Sequence, residues 1–165
     1  APVAFGQENN HASAASNLGF GSVLQKNQND FGFGAEIISP SFADDRLAVD
    51  ASGTYNYVTG STWAGYGSAS LTLLAGLTAP SETHRLYGKA GVVALFPSDR
   101  VSSESIAIGA LGGFGFEFFF TPERTGSYYI ELGGMGTAAG ADELEDSPVY
   151  ANGFTTSVGV RYYLR

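Results

Sequence analysis

Apolar and polar residues alternate along most of this chain with a period of two. The clearest case is segment 153–165, where even-numbered positions are mainly apolar or aromatic and odd-numbered positions are mainly small or polar. Because successive side chains of a β-strand point to opposite faces, this segment predicts a strand with one apolar and one polar face. The polar face carries a charge in mid-strand, at Arg161.

Seven further segments share this alternation, and connections rich in turn-forming residues separate them. The predicted strands comprise residues 14–24, 31–38, 46–58, 63–78, 84–96, 105–120, 127–137 and 153–165. Residues 1–13 are small and polar and are expected to form an N-terminal tail. No segment shows a helical period, so the chain predicts one all-β domain over residues 1–165, an eight-stranded antiparallel up-and-down barrel.

Two kinds of eight-stranded barrel fit this alternation. A soluble, lipocalin-like barrel would turn the apolar face toward a ligand-binding core and the polar face toward water. A transmembrane barrel would turn the apolar face toward lipid and the polar face toward its lumen. Alternation alone does not choose between them.

Side-chain volume and charge favour the transmembrane barrel. The interior of an eight-stranded barrel is only wide enough for its side chains, yet the apolar face of segment 105–120 alone carries four phenylalanines. The opposite face is rich in Gly, Ala, Ser and Thr, which suits a crowded interior. Charged residues make up 15% of the chain, against about 25% in typical soluble domains.

The aromatic residues of the apolar face fall into two groups if both termini lie on the same side. One group lies at the far rim and contains Tyr57, Trp63, Phe96 and Phe154. The other lies at the rim near the termini and contains Phe118, Phe120, Tyr128 and Tyr162. Two aromatic bands around an aliphatic zone are typical of the girdles at the two interfaces of a membrane.

Composition excludes several other classes. No apolar run approaches the roughly 20 residues of a transmembrane helix, and cysteine is absent, which excludes disulfides. The net charge of -8, without a cluster of Lys or Arg, argues against a nucleic-acid partner. The chain begins Ala-Pro-Val, so a signal peptide of an exported protein would already have been removed.

Six charged residues lie in mid-strand on the polar face, and we expect them to form one belt in the lumen. They are Glu36, Asp50, Glu117, Glu131, Lys89 and Arg161. Charges away from water persist only when they are paired and hydrogen-bonded. We therefore predict an ion network supported by Arg46 and Arg85, with Tyr87 and Tyr129 nearby. Because acids exceed bases, either these arginines join the network or one carboxyl takes up a proton.

The chain resembles the small eight-stranded outer-membrane barrels of Gram-negative bacteria, the OmpA/OmpX-like superfamily. The residues that carry the resemblance are Leu86-Tyr87-Gly88-Lys89-Ala90-Gly91-Val92, Ile108-Gly109-Ala110 through Gly115-Phe116-Glu117-Phe118, and Val158-Gly159-Val160-Arg161-Tyr162-Tyr163. Members of this superfamily usually end on an aromatic residue, whereas this chain ends Leu164-Arg165.

The resemblance implies a bacterial outer-membrane location, lipid and lipopolysaccharide as partners, and a structural or surface-interaction role through the outer loops. The lumen would then be plugged. Related barrels carry interior ion pairs that rearrange to open a narrow path, so a narrow gated channel is the alternative.

Candidate catalytic and metal sites are weak. His84 lies beside Ser81 and Glu82, but side chains within one tight turn diverge, and His11 lies in the predicted tail. We therefore expect no enzyme activity and no cofactor. The long connection 138–152 carries carboxylates that are weak candidates for divalent cations bridging lipopolysaccharide, although a solvated loop is the favoured interpretation: Asp142, Glu143, Glu145 and Asp146.

Overall fold

The computed structural model describes residues 17–28, 30–58, 64–81 and 83–164, and within 78–81 it describes the backbone alone. These residues form eight strands: β1 Gly19–Asn27, β2 Asp30–Ile38, β3 Leu47–Val58, β4 Gly65–Ser81, β5 His84–Pro97, β6 Ala107–Phe119, β7 Gly126–Thr137 and β8 Gly153–Tyr163. The described residues include no helix long and apolar enough to cross a membrane.

Every strand pairs antiparallel with the next one in sequence, and β8 pairs with β1 to close the barrel. The closing register joins Gly19 to Tyr163 at one end and Asn27 to Thr155 at the other. Closure leaves none of the eight described strands with an unpaired edge. The predicted fold, an all-β up-and-down barrel of eight antiparallel strands, is confirmed.

The first hairpin is tighter than its sequence predicts. Residues 26–30 were expected to form a loop, but β1 continues to Asn27, which pairs with Asp30 at the start of β2. Both side chains are buried. The carboxylate of Asp30 accepts hydrogen bonds from the Tyr66 hydroxyl at 2.9 Å and from the Ala151 amide at 2.8 Å. These bonds hold Asp30 inside the mouth of the barrel.

The apolar face of the strands points outward. In β2 the outward side chains of Phe33 and Ile37 are about half exposed, whereas the inward side chains of Glu36 and Ile38 are buried. The same two-residue period recurs around the barrel. The polar side chains therefore face the lumen, which is the reverse of a soluble barrel.

Two apolar clusters lie inside the lumen, one at each end, with the charged residues between them. The cluster at the end near the termini contains Ile38, Ala48, Leu74, Tyr87, Phe119 and Tyr163. The cluster at the far end contains Val58, Ala64, Tyr66, Val93, Leu95, Val101, Met135, Ala139, Ala141, Tyr150 and Ala151. Apolar side chains thus pack together at both ends of the barrel.

Two connections cover the far end of the barrel. They are residues 98–106, between β5 and β6, and residues 138–152, between β7 and β8. The Glu143 amide donates to the Val101 carbonyl at 3.3 Å, and Val101, Ala139 and Ala141 are fully buried. Burial in the same cluster raises the pKa of Tyr150 to about 12. The two connections therefore pack against each other over the barrel mouth.

Candidate functional site

Among the residues that the structure describes, seven charged side chains come together in the middle of the lumen. Five of the strands around it supply one each, and β5 supplies two. We call this set the lumen network; it consists of Glu36 on β2, Asp50 on β3, Arg85 and Lys89 on β5, Glu117 on β6, Glu131 on β7 and Arg161 on β8. All six residues of the predicted belt belong to it, and so does Arg85.

Arg161 is the centre of the lumen network. Its guanidinium contacts three carboxylates, with Nε 2.8 Å from Glu36, Nη2 3.1 Å from Glu131 and Nη1 3.4 Å from Glu117. The side chain is completely buried. A planar guanidinium with five donors in fixed directions suits this geometry, whereas an ammonium group acts as a point charge.

Two tyrosine rings enclose the Arg161 guanidinium. Its central carbon lies 3.8 Å from the ring centroid of Tyr129 and 5.4 Å from that of Tyr87, which allows cation–π attraction. Inward-facing glycines make room for both rings. A Cβ at Gly115 would approach the Tyr87 ring to 2.3 Å, and one at Gly159 would approach the Tyr129 ring to 2.7 Å. These two glycines are therefore a requirement of the lumen network.

Glu117 joins Arg161 to Arg85. Its Oε2 accepts hydrogen bonds from Arg85, including one from Nε at 3.0 Å. Its Oε1 accepts hydrogen bonds from the Ser127 hydroxyl at 2.6 Å and the Tyr163 hydroxyl at 2.7 Å. This fully buried carboxylate is consequently satisfied at both oxygens, as a buried charge requires.

Lys89 joins the lumen network to Asp50. Its ammonium lies 2.7 Å from Glu131 but 3.5 Å from Oδ2 of Asp50. The Thr72 hydroxyl donates to the same Asp50 oxygen at 3.2 Å. Asp50 is thus the most weakly paired carboxylate of the lumen network.

Arg46 does not join the lumen network, and this expectation was wrong. Arg46 is exposed and lies in the turn 43–46, one residue before β3 begins. The three preceding residues have positive φ angles of 53°, 58° and 60°, so the chain is not extended there. Side chains alternate between the two faces only where the backbone is extended. The alternation of β3 therefore does not extend back to Arg46, and it does not place this side chain in the lumen.

The predicted aromatic girdle lies mostly on the outer surface. Phe96, Phe154, Phe120, Tyr128 and Tyr162 are exposed there, Tyr57 and Phe118 are partly buried, and Trp63 lies outside the described residues. At the near rim, the ring centroids of Phe118 and Tyr128 are 4.9 Å apart in a stacked arrangement. The structure therefore places the described members at the two ends of the barrel.

The acidic connection holds one carboxylate in a specific contact. Asp142 accepts a hydrogen bond from the Ser102 hydroxyl at 2.6 Å and others from the Ser103 amide, at 3.0 Å, and hydroxyl. These bonds lower the pKa of Asp142 from its ordinary 3.8 to about 2. Glu143, Glu145 and Asp146 are exposed. Among the described residues, no group of three or more His, Cys, Asp or Glu is arranged to hold a metal ion.

Replacing Asp142 with Asn is expected to loosen connection 98–106 without unfolding the barrel, because the serines lose a charged acceptor. Hydrogen exchange at the Ser103 amide should become faster in the D142N variant. Since the folded pKa of Asp142 is depressed to about 2, the contribution of its contact is complete above about pH 4. It is lost as the pH falls through about 2. The exposed carboxylate of Glu145 is the control, and equal exchange rates in D142N and E145Q would contradict the assignment.

The candidate catalytic turn is only partly described. The His84 Nδ1 lies 3.0 Å from the Thr83 hydroxyl, and its ring packs edge-on against Phe118 at 5.2 Å. Glu82, the side chain of Ser81 and His11 lie outside the described residues. His84 therefore packs against Phe118 at the near rim.

A search against protein-family models and a search of curated proteins both found no match to this chain. A search of solved structures found the N-terminal β-barrel domain of OprF from Pseudomonas aeruginosa, with a TM-score of 0.62. The match covers 89% of this chain and 96% of that one at 15% sequence identity. The chain has the OmpA-like barrel fold. At this identity the OmpA-like match shows the architecture alone, and it confirms the resemblance read from the sequence at that level.

Proposed function

We propose that this chain is an integral barrel of the bacterial outer membrane, with a lumen plugged by the lumen network and a structural role in the envelope. The observation that carries the proposal is the outward apolar face. It includes strand side chains that are 40–71% exposed: Phe33, Ile37, Leu71, Leu73, Val92, Ile108, Phe114, Val158 and Val160. Soluble monomers rarely expose a continuous apolar surface of this extent, whereas lipid solvates it.

The lumen argues against a soluble ligand-binding barrel. A ligand pocket for an organic molecule usually measures about 300 Å³ or more. The cavity beside the lumen network measures about 40 Å³ and is lined by charged, polar and aliphatic side chains of the strands. Charged and aromatic side chains occupy the space in which a lipocalin-like barrel would hold its ligand.

The proposed partners are outer-membrane lipid, along the outward apolar face, and lipopolysaccharide, at the far rim. The exposed carboxylates of Glu143, Glu145 and Asp146 lie in the connection above that rim. A protein partner would contact connections 98–106 and 138–152, because these are the longest described segments beyond the far ends of the strands. The packed connections support a compact contact surface.

Folding into lipid tests the membrane proposal. The full chain should remain soluble only with detergent or lipid, and it should fold from urea on addition of vesicles. The folded form should migrate differently on a gel before and after heating, as expected of a barrel that resists detergent. A monodisperse, folded monomer in plain buffer would contradict the proposal.

A narrow gated channel is the second candidate, since the Lys89 side chain lines the cavity and is the most exposed of the paired groups, at 14%. We expect planar-bilayer recordings of both wild type and Lys89→Ala to show no conductance, because apolar clusters fill the lumen above and below. A known porin confirms that the bilayer detects pores. Conductance that appears in wild type or rises in K89A would favour the gate over the plug.

A further inference from the structure

In the described strands, the outward face of the barrel carries a single acidic or basic side chain. It is Lys26, which follows Phe20, Ser22 and Leu24 along the exposed face of β1. The other Asp, Glu, Lys and Arg side chains of these strands point into the lumen or its mouth. A cation on a lipid-facing surface is unfavourable at the bilayer midplane, and this cost becomes small near the interfaces. Lys26 is therefore expected to lie at a membrane interface.

The register places Lys26 at the far rim. It is the last residue but one of β1, and its cross-strand neighbours are Phe31 on β2 and Thr156 on β8. Phe31 is half exposed, and Phe154 of the aromatic girdle lies two residues beyond Thr156 on the same face. The Lys26 ammonium forms no ion pair with a carboxylate of the described residues. Its stem can lie along the aromatic surface while the charge reaches the level of the lipid headgroups.

A polar pocket lies beyond Lys26 along the same seam of β1 and β8. Its volume is about 220 Å³, and its lining includes Asn27, Gln28, Asp30, Ala151 and Asn152. The backbone amide of Gln28 donates to the Phe154 carbonyl at 2.9 Å, which joins this turn to the start of β8. The side chains of Gln28 and Asn152 are exposed. Because a strand rises about 3.3 Å per residue, Gln28 lies roughly 7 Å beyond Lys26, which is within the width of one headgroup.

We propose that this rim binds a lipid whose headgroup is a phosphorylated sugar, with the phosphate at Lys26 and sugar hydroxyls at Gln28 and Asn152. A lysine ammonium pairs with a phosphate oxygen as a point charge, and the Thr156 hydroxyl beside it is a further donor. Amide side chains both donate to hydroxyls and accept from them. The lipid chains would lie against the outward apolar face. This inference rests on the proposed membrane location and specifies the lipid at the far rim.

The charge in the pocket determines which part of the headgroup lies where. Asp30 lines the pocket, is buried and already accepts hydrogen bonds from Tyr66 and Ala151. Its negative charge would repel a phosphate inside the pocket, whereas uncharged hydroxyls meet no such repulsion. On the outward side of β1, Lys26 is a cation without a neighbouring acid on the same face. A phospholipid without a sugar would therefore satisfy only the Lys26 half of this surface.

Binding of lipid A, which carries phosphates on a sugar headgroup, tests the proposal in the full chain folded in detergent micelles. Native mass spectrometry should show that Lys26→Gln raises the apparent Kd about tenfold, the effect of losing one charge-assisted contact. Lys26→Arg should retain most of the affinity, because it keeps the charge. Arg100→Gln is the matched control, since it removes the same charge from exposed connection 98–106 at the same end. Equal Kd values in wild type and K26Q, or an equal loss in R100Q, would overturn the proposal.

Asn152→Ala and two further ligands separate the phosphate from the sugar and the lipid from its free headgroup. N152A should weaken the binding of lipid A but not of phosphatidic acid, which has a phosphate and no sugar; equal effects on both lipids would overturn the sugar assignment. Glucosamine 1-phosphate should bind much more weakly than lipid A, and equal affinities would replace the lipid by a free sugar phosphate. Failure of these tests in a barrel that still requires detergent would overturn the headgroup site alone, whereas a folded monomer in plain buffer contradicts the membrane proposal itself.

Discussion

Replacing Arg161 with methionine is expected to lower the free energy of unfolding by about 3–5 kcal/mol, the usual cost of removing one partner from a buried ion pair. Arg161 contacts Glu36, Glu117 and Glu131. The variant would leave these carboxylates with two cations, Arg85 and Lys89, for the four acids of the lumen network. Methionine retains an unbranched apolar stem, so the loss would reflect charge and hydrogen bonding more than volume.

Reversible urea unfolding in detergent micelles measures this loss, and Arg46→Met is its control. Both variants remove one arginine and change the net charge equally, but Arg46 is exposed in the turn 43–46. R46M should therefore stay within about 0.5 kcal/mol of wild type. Arg161→Lys should fall between the two, because lysine keeps the charge but lacks the planar fork. Equal losses in R161M and R46M would show that the lumen network contributes nothing specific to stability.

Strand positions and facing directions were predictable from the sequence because the two-residue period of a strand is a local property. Glu36, Glu117 and Arg161 all lie in extended backbone. There the alternation of apolar and polar residues along each strand is enough to place a side chain on the lumen face. The belt followed from the same argument, since buried charges must find partners. Arg46 marks the limit of this reasoning, because positive φ angles in the preceding turn interrupt the period.

Contacts across the lumen were not predictable. Tyr163 and Ser127 both donate to Glu117. Which side chains meet across the lumen depends on the tilt and stagger of the strands, and no local pattern gives these. The apolar clusters were missed for a related reason. Ile38 ends β2 and Leu74 lies inside β4, and both side chains are buried in the near cluster. A few inward aliphatic residues do not stand out in a sequence whose outward positions are also apolar.

The packed connections illustrate the same limit at longer range. Asp142 and Ser102 are 40 residues apart, and no local pattern associates them. In the sequence, Asp142 is one of four neighbouring acidic residues, and no local feature distinguishes it from the other three. The structure separates it from the other three through hydrogen bonds supplied by a different hairpin.

Replacing Val92 with arginine is the sharpest test of the membrane proposal. Val92 lies near the middle of β5 and points outward. An arginine on the lipid face at the bilayer midplane costs about 2–4 kcal/mol, and unfolding in lipid vesicles should show a loss of that size. On the water-facing surface of a soluble barrel, the same substitution would change stability by about 0.5 kcal/mol at most.

Val149→Arg is a matched control, because Val149 lies in connection 138–152 and both valines are 57% exposed. Solvent accessibility alone therefore predicts the same small effect for the two variants. Only a difference in the surrounding medium separates them, since Val149 lies beyond the strands, where water is accessible. A large loss in V92R with little change in V149R would place lipid against the outward face. Small and equal losses of stability in the two variants would contradict the membrane proposal and favour a soluble barrel.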